Sequence, residues 1–325
     1  MRKGKVSKTP MIVYNLLSLW RTVVTPRFVR RWQRRLCLRG WERRPDADEI
    51  RGRVDYYFPL TEPFSPGKEA RPIGSIRLKD SHSAYWYDLM RYLRAFPVDR
   101  KIDFIDGDTH VNPSDVVFGK ARRLDSLRDN VALMNLDRRR HFLKVEDNVP
   151  FHEKKPQLFF RGDVDAKENR RRFLEKWWGH PLFDLGDTSP RSMTEWHTER
   201  VEFARHFEYR YILALEGHDV ASALQWICAS NCIPVMTRPT VESWLMHGAM
   251  QPGVHYIEIA DDFSNVAEKI SYYNSHPDEA LKISEASKRW VEQFSDTRRE
   301  NIIHYLVAER YLSLSDTSQD KTTKS

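Results

Sequence analysis

Short apolar runs and amphipathic stretches alternate along the chain, a pattern typical of strands followed by helices. The clearest example begins with Tyr211-Ile-Leu-Ala-Leu215, which predicts a buried strand. A turn at residues 216–219 and an amphipathic segment at 220–229 predict a helix, and Ile233-Pro-Val-Met236 predicts the next strand. Strand, turn, helix and strand in this order predict a βαβ unit with parallel strands.

Similar runs on both sides of this unit predict further elements. The predicted strands are residues 102–105, 116–118, 131–136, 158–160, 183–185 and 255–259. The predicted helices are residues 80–93, 166–178, 263–276, 278–294 and 298–311. Irregular structure is predicted over residues 45–75, because Pro45, Pro59, Pro63 and Pro66 interrupt any long element. Strands and helices alternate in both halves, which predicts an α/β fold with two Rossmann-like lobes facing a cleft.

A length of 325 residues suits two domains of common size. We expect a basic amphipathic arm, an N-terminal lobe, a C-terminal lobe, a closing helix that packs back, and a disordered polar tail. Their predicted bounds are, in the same order, residues 1–44, 45–152, 153–295, 296–313 and 314–325.

The positive charge is concentrated in the arm. Residues 1–44 hold thirteen Lys or Arg against one acidic residue, so the net charge of this segment is +12. The whole chain carries +7, and the remaining residues therefore have a net charge of −5. Two short helices are predicted here, each with an apolar face that includes a tryptophan. Arginines flank the second face, which is what an interfacial helix on an anionic membrane needs. The predicted membrane-binding residues are Trp20, Arg30, Arg31, Trp32, Arg34 and Arg35.

Two other interpretations of the arm stay open. The helices can instead pack on the body with a solvated arginine face. Nucleic-acid binding is disfavoured, because the acidic remainder offers no continuing basic surface. A signal peptide is disfavoured as well, since arginine-rich sequence follows the apolar run of residues 11–20 where a small-residue cleavage site is required.

Three cysteines, an odd number, suggest no disulfide framework. A reducing compartment fits this count, so we expect a cytoplasmic protein. Cys228 and Cys232 lie close in sequence, but no histidine or aspartate cluster accompanies them, and no metal site is expected there.

Residues that follow predicted strands are the candidates for chemistry, because open α/β sheets bind ligands beyond the carboxyl ends of their strands. The glycine turn at Gly217 leads into a helix and suits a diphosphate, for which Arg161 offers a planar cation. The alternatives are a plain tight turn at Gly217, and a salt bridge from Arg161 to a nearby aspartate. Asp106-Gly-Asp108 permits either a divalent metal or a general base.

Several blocks in order make the chain resemble glycosyltransferase family 90, which contains bacterial lipopolysaccharide A proteins, fungal capsule-associated proteins and animal protein O-glucosyltransferases. The resemblance covers roughly residues 80–312, and the bacterial branch is closer. The blocks are Gly107-Asp108, Lys120-Ala-Arg122, Asn135-Leu-Asp-Arg-Arg-Arg-His-Phe142, Phe160-Arg-Gly162, Arg170-Arg-Arg172, Asp184-Leu-Gly-Asp187, residues 211–226, Glu242-Ser-Trp244 and Pro252-Gly-Val-His-Tyr256.

The resemblance implies a GT-B fold, with the acceptor bound by the N-terminal lobe and a UDP-sugar by the C-terminal lobe. It implies inverting hexosyl transfer without metal or cofactor, the UDP-sugar being a co-substrate. Asp108 is then the general base, and Glu242 a contact of the ribose. The implied donor-binding residues are Arg161, Gly162, Arg172, Asp184, Glu216, Gly217, His218, Asp219, Ser222 and Glu242.

The sequence departs from the animal members in one place: the helix after the glycine turn reads Ser222-Ala-Leu-Gln-Trp226 and lacks their arginine. Another cation must bind the diphosphate there, or His218 does part of that work. The expected partners are a UDP-sugar, a glycolipid or oligosaccharide acceptor of lipopolysaccharide-core type, and an anionic membrane surface. Among the donors UDP-glucose is favoured. The resemblance implies that the surface is the inner face of the cell's inner membrane, on which the protein is expected to be peripheral. The alternatives are a relative that uses UDP-galactose or UDP-xylose on capsule glycan, and an inactive membrane- or nucleic-acid-binding protein.

Overall fold

The computed structural model describes residues 4–109, 111–136, 138–141 and 143–315. Residues 316–325, most of the predicted disordered tail, lie outside this range. The strands are, in chain order, β1 (Gly4–Ser7), β2 (Arg71–Pro72), β3 (Lys101–Ile102), β4 (Val117–Gly119), β5 (Ala121–Arg123), β6 (Val131–Leu133), β7 (Lys144–Asp147), β8 (Lys155–Phe159), β9 (Phe183–Asp184), β10 (Tyr209–Leu213), β11 (Ile233–Met236), β12 (Val241–Ser243) and β13 (Ile257–Glu258).

The α-helices of the described residues are also given in chain order. They are α1 (Met11–Leu19), which continues as a π-helical turn (Trp20–Val24), then α2 (Arg27–Leu38), α3 (Ala47–Tyr57), α4 (Ser83–Leu93), α5 (Arg138–His141), α6 (Glu168–Trp177), α7 (Phe203–His206), α8 (Leu224–Cys228), α9 (Val266–Ser275), α10 (Pro277–Glu292) and α11 (Thr297–Leu314). No helix of the described ranges is long and apolar enough to cross a membrane.

The chain forms two compact units, each built from separated segments. The first, here called the sheet unit, comprises Met1–Lys8, Arg140–Thr240 and Leu245–Phe294. The second, the helical unit, comprises Thr9–Arg139, Val241–Trp244 and Ser295–Ser325. This division differs from the consecutive segments predicted from sequence, because β12 and the C-terminal helix belong with the N-terminal half of the chain.

The sheet unit contains a five-stranded parallel sheet in the order β13-β11-β10-β8-β9. The predicted βαβ unit is confirmed, since β10 and β11 pair in parallel with Leu213 opposite Val235. Its helix is shorter than predicted, because α8 begins only at Leu224. The chain leaves β8 toward β9 on one side and leaves β10 toward β11 on the other. The connections therefore diverge between β8 and β10, where open α/β sheets form a ligand crevice.

The helical unit has only short strand pairs among its described residues, namely β2-β3, β4-β6 and β5-β12. The mixed α/β prediction with a central parallel sheet is thus confirmed, whereas a Rossmann-like sheet in the N-terminal half is not found there. Helices dominate instead, and α11 packs against α3. Asp296 caps α11 by accepting hydrogen bonds from the backbone of Arg298 and Arg299.

Helix α3 contradicts the prediction of irregular structure over residues 45–75. It fits between Pro45 and Pro59 and buries Ile50, Val54 and Tyr57 on one stripe. Arg53 interrupts that stripe in the sequence, which hides the helical period. In the structure Arg53 is buried and forms a bidentate pair with Glu300 of α11, at 2.7 and 2.8 Å, so its charge is compensated.

Candidate functional site

A cavity of about 180 Å³ opens in the sheet unit where the strand connections diverge. Its walls are the residues after β8, the residues at the end of β10 and those just before α8. Among the sequence-predicted residues, Arg161, Gly162 and Ser222 line it. The strand-end argument therefore brings these three residues together, in agreement with the sheet topology.

Arg161 is held in place by the neighbouring strand. Its Nη2 donates to Asp184 Oδ1 at 2.5 Å, and its Nη1 donates to the Asp184 carbonyl at 3.0 Å. The Tyr209 hydroxyl donates to the other oxygen of Asp184. Burial alone favours the neutral acid, but the hydrogen bonds from Tyr209 and Arg161 hold the pKa of Asp184 below its ordinary value. Asp184 thus orients the cation, and the salt bridge that the sequence left open as an alternative for Arg161 is formed with Asp184.

Two glycines allow this arrangement by their lack of a side chain. A Cβ at Gly186 would lie 2.9 Å from Arg161 Cδ, and a Cβ at Gly162 would lie 2.6 Å from the Phe160 ring. Both distances are shorter than side-chain carbons tolerate, so the backbone can approach only because these residues are glycine.

The second arginine at the cavity is Arg170, not the predicted Arg172. Nη1 of Arg170 donates to the Asp163 carbonyl at 3.1 Å and Nη2 to the Leu215 carbonyl at 2.9 Å, while Nε is buried without a partner. Arg172 is exposed and lies over the Phe263 ring. Arg170 shares the face of α6 that buries Phe173 and Leu174, three and four residues on, so the helical period could have identified it.

We expect Arg170→Lys to weaken UDP binding about tenfold or more, because an ammonium cannot both hold the Asp163 and Leu215 carbonyls in the same geometry and offer a planar guanidinium at the cavity wall. Arg172→Lys is the matched control on the same helix, and its UDP affinity should equal that of the wild type. Isothermal titration with UDP measures both variants. Wild-type affinity in Arg170→Lys would show that the guanidinium of Arg170 does not contact the nucleotide.

His206 and Trp226, which sequence reasoning missed, also line the cavity. His206 packs edge-on against Phe159 and Trp226, with ring centroids 4.9 and 5.1 Å away. Burial lowers the pKa of His206 to about 4, so the ring is neutral at physiological pH. Trp226 ends the family block of residues 211–226 but was not assigned to the site, His206 lies in no block, and the fold brings both to this wall.

The buried histidine predicts a loss of stability in acid. Its folded pKa of about 4 lies below the ordinary value of 6.5, so its contribution is complete above pH 6.5 and falls as the pH approaches 4. The linked change is about 3 kcal/mol. Urea unfolding of the wild type at pH 6.5 and at pH 4 should show this drop in unfolding free energy. In His206→Phe the part of the drop that is due to His206 should be absent. The exposed His218→Gln is the control and should keep the wild-type pH dependence.

The turn after β10 is tied internally. The Gly217 N–H donates to the Asp219 carbonyl at 2.9 Å, so it does not point as a free donor at a diphosphate, contrary to the sequence hypothesis. The Glu216 carboxylate accepts from the backbone N–H and the hydroxyl of Thr240, at 2.8 and 2.6 Å. Asp219 is buried and His218 is exposed, and neither lines the cavity. Of the turn and helix start, Ser222 is the predicted residue that reaches the wall.

Asp108 belongs to the helical unit, where Lys120 and Tyr85 position it. Lys120 Nζ lies 2.7 Å from Asp108 Oδ1, and the Tyr85 hydroxyl donates to the same oxygen at 3.4 Å. Lys120 is buried, whereas the Asp108 side chain is 29% exposed. The carboxylate is therefore held by the buried Lys120 and remains accessible from solvent, which a general base that contacts a substrate requires.

The neighbouring Asp106 has a different task. Its carboxylate oxygens accept hydrogen bonds from the backbone N–H of His82, the residue that precedes α4, at 3.1 and 2.8 Å. Within the described ranges no group of three or more His, Cys, Asp or Glu side chains has the arrangement of a metal site. Cys228 and Cys232 are both buried and free.

Glu242 does not fit the predicted ribose contact. It lies on β12, is fully buried, and accepts from Arg122 Nε at 2.8 Å and from the Tyr56 hydroxyl. Both oxygens of its carboxylate are already bound in the interior, by Arg122 and by Tyr56, so its role is structural. The sequence hypothesis missed this because the partner lies 120 residues away.

The arm helices belong to the helical unit and expose part of their predicted surface. Trp20 and Trp32 are exposed, as are Arg31 and Arg35. Arg30 is buried instead, and Arg34 lies 4.2 Å over the Phe96 ring. Both of these point inward because a helix packed on one side must bury part of its arginine-rich circumference.

Comparison with known proteins agrees with this chemistry. The profile described as Glycosyl transferase family 90 matches residues 128–316. An O-glucosyltransferase LpsA of Dichelobacter nodosus is 38% identical over 267 residues, which cover 82% of this chain and 83% of that protein. The chain belongs to glycosyl transferase family 90. Glycosyltransferase activity follows from this membership.

Animal members of the family match more weakly. Protein O-glucosyltransferase 2 of Danio rerio is 29% identical over 29% of this chain and 18% of its own length. Protein O-glucosyltransferase 3 of Homo sapiens is 24% identical over 49% of this chain and 32% of its own length. The family profile contains the cavity residues of the sheet unit but begins after Asp108.

Proposed function

We propose that this glycosyltransferase moves glucose from UDP-glucose to a hydroxyl of a lipopolysaccharide-core or similar glycolipid acceptor, with inversion and without a metal ion. The observation that carries the donor assignment is the cavity at the ends of β8 and β10, lined by Arg161 and Arg170. Fixed cations at such a crevice suit a diphosphate leaving group. The name of the bacterial relative, O-glucosyltransferase LpsA, supports glucose and a bacterial glycolipid.

In the proposed reaction Asp108 takes the proton from the acceptor hydroxyl. The acceptor oxygen forms its bond to the anomeric carbon as the bond from that carbon to the diphosphate oxygen breaks. UDP leaves with the bonding electron pair, and the two arginines stabilise its charge. The proposal includes the GT-B fold that the family resemblance implies, with the acceptor and the UDP-sugar bound by different lobes.

The test is UDP release by the full chain from UDP-glucose, UDP-galactose and UDP-xylose, with a core-oligosaccharide acceptor and with or without EDTA. We expect turnover of UDP-glucose that EDTA leaves unchanged. Preference for another sugar would correct the donor, and loss of turnover in EDTA would refute the metal-independent mechanism. Absence of turnover, together with no thermal stabilisation by UDP, would favour an inactive binding protein.

The arm is proposed to hold the enzyme on the cytoplasmic face of an anionic membrane. Five apolar side chains of α1, the π-helical turn and α2 are between 60% and 74% exposed, and we call them the apolar stripe: Ile12, Leu16, Trp20, Phe28 and Trp32. Monomeric soluble proteins seldom expose so many large apolar groups together. Arg31 and Arg35 lie exposed on the same segment, where they complement anionic headgroups.

Replacing both tryptophans of the stripe, Trp20→Ser with Trp32→Ser, should reduce sedimentation with anionic vesicles by about tenfold or more, because each ring contributes apolar area to the interface. The exposed Met193→Ser, 97% exposed in the sheet unit, is the matched control. Unchanged sedimentation of the double variant would exclude the stripe as the membrane contact.

A further inference from the structure

A second cavity, of about 450 Å³, lies in the helical unit against the arm helices. Three arginines line it: Arg21 from the π-helical turn, Arg30 from α2 and Arg91 from α4. The other lining residues include Gln33 and Tyr305, and none of the lining residues carries a carboxylate. The cavity therefore has a cationic wall without a counter-charge of its own.

Arg30 is the most unusual member of this wall. It is 3% exposed, and its Nε donates to the Thr25 carbonyl at 3.0 Å. Its Nη1 and Nη2 are buried without a hydrogen-bond partner. Burying a guanidinium with two unpaired nitrogens is costly, and native proteins usually avoid it. Burial, followed by the nearby charge of Arg94, lowers the pKa of Arg30 to about 10, so it remains charged at neutral pH.

The other two arginines add to the positive potential. Burial and the charge of Arg91 lower the pKa of Arg21. Arg91 is held in place by α11, because its Nη2 donates to Asn301 Oδ1 at 3.2 Å. Repulsion between like charges on one wall destabilises the folded protein. An anion that accepts hydrogen bonds from several of these arginines removes that repulsion.

We propose that this cavity binds a phosphate group, and that the phosphate belongs to the headgroup of an anionic lipid. Phosphate offers several oxygens to guanidinium forks, which is the geometry arginine prefers. Trp20 connects the cavity to the membrane surface, because it is 64% exposed on the apolar stripe and also lines the cavity. The inference rests on the membrane contact of the proposed function, and it makes that contact headgroup-specific.

Arg30→Met tests the site, because methionine keeps much of the apolar stem and removes the buried charge. Without ligand, this variant should unfold at a higher temperature than the wild type, since an uncompensated charge is gone. Inorganic phosphate should raise the melting temperature of the wild type but not that of Arg30→Met. A purely structural arginine would give the opposite result, namely a less stable variant with an unchanged phosphate response.

Arg31→Gln is the matched control, because Arg31 is the next residue of α2 and is exposed. It should keep the phosphate response of the wild type. If both variants lose the response equally, phosphate binds through general surface charge and the cavity assignment is overturned. If the wild type shows no response to phosphate or to mixed vesicles, the proposed site does not exist.

Vesicles distinguish a lipid headgroup from free phosphate. The full chain is sedimented with phosphatidylcholine alone, or with phosphatidylcholine mixed with phosphatidic acid. We expect Arg30→Met to lose about tenfold in affinity for the mixed vesicles, one pairing of phosphate with arginine, and Arg31→Gln to lose only a salt-sensitive part. A phosphate response that is lost in Arg30→Met, with unchanged vesicle binding, would assign the cavity to a soluble phosphate and overturn the lipid source.

Failure of the proposed function is recognised separately. UDP release by the wild type in the absence of vesicles reports sugar transfer and does not involve this cavity. Absence of that turnover refutes the transferase proposal, while the melting temperatures still decide whether the arginine cavity binds phosphate.

Discussion

Replacing Asp108 by Asn is expected to lower kcat for sugar transfer by about 10²- to 10⁴-fold, the usual contribution of a positioned general base. The amide keeps the size of the carboxylate and a carbonyl oxygen for Tyr85 and Lys120, but it cannot accept the acceptor's proton. The affinity for UDP should remain that of the wild type, since the cavity proposed to bind the donor is lined by residues of the sheet unit and Asp108 belongs to the helical unit. Initial rates of UDP release and titration with UDP give the two quantities.

Two further variants separate the loss of the base from a disturbance of the fold. Asp108→Asn leaves the buried Lys120 without its 2.7 Å ion pair, so the double variant with Lys120→Met removes that unpaired charge. It should recover stability without recovering turnover. Asp106→Asn, two residues away, keeps an acceptor for the His82 N–H and should retain most of the activity. Wild-type kcat in Asp108→Asn would exclude Asp108 as the base.

Glu242→Ala is expected to cost about 3–5 kcal/mol of unfolding free energy, the usual effect of breaking a buried ion pair. Arg122 is fully buried, and its Nε would lose the carboxylate 2.8 Å away. The charge would then remain in the interior without its partner. Urea unfolding of the wild type and the variant measures the difference.

The same residue decides between a structural role and the ribose contact inferred from sequence. A double variant, Arg122→Met with Glu242→Leu, should recover much of the lost stability, because apolar groups can replace a buried ion pair. Its KM for the donor should match that of the wild type. A large rise in KM with full stability would restore the ribose interpretation.

Local patterns were sufficient to predict much of the sheet unit. The strands at residues 209–213 and 233–236 and the βαβ connection follow from apolar runs and turn residues, and strand ends identified Arg161 and Gly162. Long-range partners were beyond such patterns. Arg53 and Glu300, or Arg122 and Glu242, are read as surface charges until the fold brings them into the interior.

Helix phase explains the remaining differences at the site. Arg170 and Arg172 belong to a run of three consecutive arginines, in which the residue type alone does not distinguish them. The buried face of α6 places only Arg170 at the cavity. In the arm, composition predicted arginines on an outer surface, and packing turned Arg30 inward. Composition therefore indicates a type of surface, while the position of each side chain depends on which face of the helix is covered.

Arg161 is fixed by Asp184, which Tyr209 holds in turn, and this has a consequence for how the site can diversify. A free arginine side chain has about 2 kcal/mol of rotamer entropy to lose on ordering, and here that ordering has already occurred during folding. Any anion bound by Arg161 meets a rigid group whose orientation does not depend on the rest of the ligand. If that anion is the diphosphate of the proposed donor, residues that discriminate between sugars can be exchanged while the part of the site that binds the diphosphate stays the same.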